Sequence, residues 1–197
     1  FSLTFVYDRG SRHERDLCAA LSLLDLSGAG ALSAEAFKKK LFSLGTSLGY
    51  GCGEQESSVS LSGLNEHLCE SLSLMRDRFE HPAVDTETLK KMVDVEIGAH
   101  EDTKRDPQAV HGALGEWARR GKESSVLAEL TNAELQALRL EPLQKIIAQF
   151  PRYERRAGYV GNRPVGELAK LLEDGLRYER APERKPTTLL RPEGPRI

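Results

Sequence analysis

Apolar and polar residues alternate from Phe1 to Phe5, and Val6 and Tyr7 continue the segment, close to the period-two pattern of a half-buried strand. Asp8-Arg-Gly-Ser11 supplies a turn, and residues 13–26 then read as a helix, which Ser27-Gly-Ala-Gly30 breaks. Ser33 is placed to cap a second helix with Phe37, Leu41 and Leu44 as its apolar stripe, because a serine oxygen there can accept a free first-turn N–H. Alternation returns over residues 46–52, with Leu48, Tyr50 and Cys52 on one side, and again over 57–62 beyond a polar turn. These two segments predict an antiparallel hairpin. Ser57, Ser58, Ser60 and Ser62 read as the solvated face of its second strand.

Leu64, Leu68, Leu72, Met75 and Phe79 recur every three or four residues, which predicts an amphipathic helix. A long helix follows over 85–104 with Leu89, Met92, Val93 and Ile97 inward, and Asp106-Pro107 opens another reaching about residue 121. Thr131 and Glu134 form a capping-box pattern for a short helix. Residues 142–150 predict a helix, 156–161 a closing strand and 164–175 a last helix. The order predicts the α+β class: a sandwich of one mostly antiparallel sheet with helices packed on one face. Residues 177–197 hold four prolines with six basic and three acidic residues, a composition that suits an extended linker to a following domain.

A length of 197 residues fits one good-sized domain. The chain opens on Phe1 in the middle of a strand pattern, so it is expected to be a piece of a longer protein. No apolar run approaches the ~20 residues needed to span a bilayer, and no membrane span is expected. A net charge of -2 argues against a dedicated nucleic-acid binder, which presents a basic patch. Cys18, Cys52 and Cys69 are odd in number and lack C-x-x-C spacing. One internal disulfide at most is possible, and three buried thiols are the expectation.

Few residues suggest chemistry of their own. Glu96 falls on the apolar face of its helix with Met92 and Val93, where a carboxylate needs a partner. His100, one turn on, is the expected one. Two ligands are too few for zinc, which takes four at structural sites and three plus water at catalytic ones. His67 and Cys69 occupy alternate helical positions that do not converge. Gly49-Tyr-Gly-Cys-Gly53 lacks the Lys-Ser/Thr ending of a phosphate loop. Arg152, Arg155 and Arg156 around Tyr153 read as a solvated turn. An unrelated enzyme site would have to draw on Glu96, His100 and His111.

Several segments together carry a family resemblance. A strand ends at Asp8-Arg-Gly10 and a helix follows. Leu44-Gly-Thr-Ser-Leu-Gly49 is similar to a Leu-Gly-Gly-x-x-Asn stretch before a hairpin. Val93-Asp-Val-Glu-Ile97 with Asp106-Pro107 resembles a Val-Ile-x-Glu-Ile segment and its downstream Asp-Pro, and Tyr159-Val-Gly-Asn162 a closing strand and turn. In this order the set resembles the pitrilysin (insulinase-like, inverzincin) zinc metallopeptidases. That family carries His-x-x-Glu-His just before a Gly-Thr turn. With Gly28 as that glycine, the histidine positions are Ala19 and Leu23 and the catalytic glutamate is Ser22. On a helix the three share one face. With Gly30 as anchor the positions become Leu21, Leu24 and Asp25, again without a zinc pair. Glu96, 73 positions beyond Leu23, matches the third ligand and is a vestigial ligand position.

The resemblance implies that residues 1–176 form an inactive peptidase domain folded like the mitochondrial-processing-peptidase-like metallohydrolases, with no catalytic residue, metal ligand or cofactor of its own. Zinc is then expected in a partner half, on the same or a paired chain, within a zinc-dependent endopeptidase. The domain completes the substrate chamber and helps position a peptide. In active relatives the matching strand is an edge that takes up peptide by backbone pairing, which makes Gly49, Tyr50 and Gly51 the peptide-contact candidates. The alternative is a stand-alone structural or assembly subunit of the same fold. The resemblance leaves the compartment open and leans toward the bacterial periplasm.

Overall fold

Leu3, Phe5 and Tyr7 project from one side of β1 (Ser2–Tyr7) and are buried, while Ser2 is exposed. This is the alternation expected of a strand with one face on a core. A computed structural model describes residues 1–173 of the chain. Along it follow α1 (Leu17–Asp25), β2 (Gly28–Ala29), α2 (Ala34–Ser43), β3 (Ser47–Cys52), β4 (Ser57–Ser62) and α3 (Leu68–Glu80). Then come β5 (Pro82–Ala83), α4 (Thr86–Arg105), α5 (Pro107–Arg120), α6 (Ser125–Ala128), α7 (Asn132–Ala137), α8 (Leu140–Gln149), β6 (Arg155–Val160) and α9 (Val165–Leu172). The segment 177–197 lies outside the described residues.

The main sheet has the order β3-β4-β1-β6, with every pairing antiparallel. The register sets Phe5 opposite Val59 on one side and Ala157 on the other, and Tyr50 opposite Val59 on β4. Helices α1, α3 and α8 cover the apolar face. Leu17, Leu21 and Leu24 of α1, Leu68 and Leu72 of α3, and Leu143 and Ile147 of α8 belong to one buried cluster with the sheet. Phe150 closes it, its ring 4.2 Å from Tyr7 and 5.8 Å from Phe79. The α+β architecture with helices on one face is as the hydrophobic pattern predicts. Helix α2 buries Phe37 and Leu41 in a small satellite cluster with Ala29.

The caps are where the sequence places them. The Ser33 side chain accepts from Ala36 N–H, that of Asp85 from Thr88 N–H and that of Asp106 from Gln108 N–H, the last with Pro107 in the first turn. Thr131 and Glu134 close a full capping box. The turn at the end of α1 needs its glycines: a Cβ on Gly28 would run into the Leu32 carbonyl, and Gly30 sits at φ +54°, where other residues are strained.

Four expectations are corrected. Helix α1 starts at Leu17, not near residue 13. The intervening Ser-Arg-His-Glu-Arg-Asp run has no apolar periodicity to pack, and its backbone closes turns on Gly10 and Glu14. Helix α3 starts at Leu68, preceded by a short 3-10 turn over Asn65–His67 that leaves Leu64 exposed. Ser57 is buried, not solvated, and its hydroxyl donates to the Arg9 carbonyl at 2.7 Å. The cysteines are not three buried thiols. Cys18 and Cys52 form a disulfide that ties α1 to the end of β3, and Cys69 is free and exposed.

Candidate functional site

Helix α1 turns Ala19 and Ser22 toward α4. Leu23 and Ala19 are buried, whereas Ser22 is half-exposed. Glu96, half-buried on α4, faces Ser22 across a cleft of about 420 Å³. Leu21 and Asp25 of α1, Tyr50 of β3 and Met92 of α4 line the same cleft, and the Cys18–Cys52 bridge closes one end. A second cleft of about 270 Å³ shares Ser22 and Glu96 and runs on past Ala19 and His100. The spacing argument therefore brings together Ala19, Ser22 and Glu96. Leu23 lines neither cleft and packs in the core.

The partner expected for Glu96 is a correction. The His100 Nδ1 atom is 2.8 Å from the Asn132 side-chain oxygen, and Asn132 in turn donates to Glu101 at 3.2 Å. The N-terminal turn of α7 thus brings Asn132 to His100, a long-range contact that helical spacing within α4 does not reveal. Among the described residues Glu96 has no hydrogen-bond or ion-pair partner. His111 stands exposed on α5, away from both clefts.

A zinc ion does not fit this donor set. A methyl group, a hydroxyl and an isobutyl group stand at the motif positions, leaving one carboxylate to coordinate. Among the described residues no three His, Cys, Asp or Glu side chains converge on a point. General-base work on a metal-bound water likewise has no carboxylate at Ser22.

The strand beside the cleft is free on one side. Strand β3 pairs with β4 only and forms an edge of the sheet among the described residues. Tyr50 projects toward the helices, its ring edge-on to Phe79 at 5.8 Å. Its hydroxyl is buried and has no hydrogen-bond partner among the described residues. Burial pushes the phenol up to about 12, with the nearby Arg78 guanidinium opposing the shift. Gly49 and Gly51 belong to the opposite face of the strand. A Cβ on Gly49 would meet open space, while one on Gly51 would press on the Ser58 hydroxyl.

Arg78 is the residue that pattern reading overlooks. It is only 2% exposed. Its Nη2 donates to the Asp25 carbonyl at 2.7 Å and the Ser27 carbonyl at 2.8 Å, and the guanidinium lies 4.6 Å from the Phe37 ring centre. It therefore satisfies carbonyls that the end of α1 leaves free. Its one sequence signal is spacing: Ser71 and Arg78, seven apart, flank the Leu68–Leu72–Met75–Phe79 stripe, and both are buried.

No family model matches the chain, and no curated protein matches it in sequence. Its fold has clear counterparts among solved structures. The ferredoxin protease FusC, solved as a mutant bound to Arabidopsis ferredoxin, superposes with a TM-score of 0.77 at 17% identity, over 96% of this chain and 22% of that one. The periplasmic protease PqqL from Escherichia coli gives 0.73 at 15% identity, over 96% and 22%. A peptidase M16 inactive domain from Pseudomonas fluorescens gives 0.62 at 16% identity, over 74% and 37%. The chain has the fold of the pitrilysin-like peptidases. It spans about a fifth of the length of FusC and PqqL. The described residues contain no helix long and apolar enough to cross a membrane.

Proposed function

We propose that this chain is a non-catalytic domain of a zinc metallopeptidase, and that it completes a substrate chamber and helps hold an extended peptide for a zinc-bearing partner half. One observation carries the reading. The fold has an edge strand with a cleft beside it, and the positions that the family resemblance assigns to zinc ligands and general base hold Ala19, Ser22 and Leu23. A peptide added along β3 supplies backbone hydrogen bonds without regard to sequence. Residues 1–176 act as the domain and 177–197 as the connection to the next one. The Cys18–Cys52 bridge favours an oxidising compartment such as the periplasm.

Two variants of the complete protein test the reading. Gly49→Val places a branched side chain beside the free edge, and the open space there means the fold accepts it. Tyr50→Ala removes the aromatic wall of the cleft. Each is expected to raise KM for peptide substrates several-fold, with the zinc content of the whole protein unchanged. Unaltered peptide affinity and turnover in both variants would refute the role of β3.

A further inference from the structure

The cleft between α1, β3 and α4 has the makings of a side-chain pocket. Leu21, Leu26, Met92 and Val95 give it apolar walls, and its two ionisable carboxylates are Asp25 and Glu96. No lysine, arginine or histidine lines it. Asp25 is partly offset from behind by Arg78, whose Nη1 is 3.9 Å from its carboxylate. Glu96 is not offset: Arg15, in the adjoining cleft, is held by Glu134 at 2.8 Å, and His100 by Asn132. Tyr50 adds an aromatic ring to the wall, with its hydroxyl buried away from solvent. An apolar trough with an unpaired carboxylate matches a long aliphatic stem ending in a cation.

We infer that the degenerate zinc cleft binds the side chain of a lysine or arginine in an extended peptide paired with β3, with Glu96 as the residue that selects it. The inference rests on the peptide-binding reading of β3. Side chains alternate along an added strand, so every second residue of such a peptide points to the helix side, where Tyr50 and the cleft lie. Backbone pairing leaves the register free to slide, and a single basic residue would fix it by seating in the cleft.

Short unstructured peptides, identical except for one central lysine, arginine, leucine or glutamate, provide the probe. Their affinities for the complete protein are measured by fluorescence anisotropy, with a chelator present to prevent cleavage. The lysine and arginine peptides are expected to bind roughly tenfold more tightly than the others, the scale of one partly desolvated charge-assisted hydrogen bond. Glu96→Gln should abolish that advantage while leaving the leucine peptide unaffected, and Glu96→Lys should turn the preference to glutamate. Equal affinities for all four peptides in the unaltered protein, or an advantage that survives Glu96→Gln, would overturn the inference. If all four bind equally and Gly49→Val weakens them together, the pocket is wrong and the β3 reading stands. If none binds, both fall.

Discussion

At the scale of single residues, Arg78 does the work that no apolar side chain at its position could. A guanidinium carries a planar fork of donors and is always charged. Here one nitrogen, Nη2, donates to two backbone carbonyls at the end of α1 while the flat face of the guanidinium lies near Phe37. Arg78→Met keeps the bulk and leaves the buried Ser27 carbonyl and the part-buried Asp25 carbonyl without this donor. The expected loss is about 2–4 kcal/mol, read as a lower denaturant midpoint. Arg78→Lys should recover only part of it, because a compact ammonium lacks the flat face that lies over Phe37. A loss under about 0.5 kcal/mol in the methionine variant, the size of an ordinary surface change, would refute the bracing role. Residue-level roles were legible where a local rule governs them. Ser33, Asp106 and Thr131 cap as their spacing says. They were illegible where partners lie far apart in sequence: Arg78 bonds across more than fifty residues to α1, and His100 across 32 to Asn132. Periodicity along one helix carries no trace of either.

At the scale of elements, the junction of α1 and β3 is the part of the molecule with a functional claim on it, and it is held covalently. Cys18 and Cys52 are separated by 34 residues. Closing a loop of that size in the unfolded chain is worth on the order of 3–4 kcal/mol by chain entropy. The bridge also fixes β3 beside the cleft, so its loss should loosen the edge strand more than the sheet centre. Thiol titration of the unfolded, unreduced protein is expected to find one thiol, that of Cys69, and titration after reduction three. Reduction, or Cys18→Ser with Cys52→Ser, should lower the melting temperature and speed hydrogen exchange in β3 while β1 and β4 keep their protection. Three titratable thiols without reductant would eliminate the bridge. Element positions were readable from period two and period 3.6 patterns because burial imposes them. The disulfide was not, since three cysteines allow three pairings and sequence gives no distance. Nor was the start of α1, where turns on Gly10 replace the helix that the length of the segment suggests.

At the scale of the whole molecule, the ordered set of weak motifs, none decisive alone, pointed to the fold that the superpositions on FusC, PqqL and the inactive Pseudomonas domain bear out. Fold and chemistry separate here. The layers, the sheet order and the cleft between α1 and α4 are built by the apolar residues, and they persist without the polar residues that a zinc peptidase needs at its centre. Affinity for zinc depends on those few side chains alone: removing even an outer-sphere partner of a zinc ligand costs about 10- to 100-fold. Here the positions that the resemblance assigns to the two imidazoles hold the methyl group of Ala19 and the isobutyl group of Leu23, and of the proposed ligand positions only Glu96 carries a donor. The purified chain is therefore expected to retain no stoichiometric zinc after mild dialysis, to show no saturable zinc binding in the micromolar range by calorimetry, and to hydrolyse no peptide with or without added zinc. One tightly bound zinc per chain would overturn the degenerate-domain reading. Loss of that zinc in Glu96→Gln would then locate it in the cleft, and its persistence would send the search to His100 and His111. Zinc-free chain that still binds extended peptides would instead separate the two tasks of the fold, holding the substrate here and cutting it elsewhere.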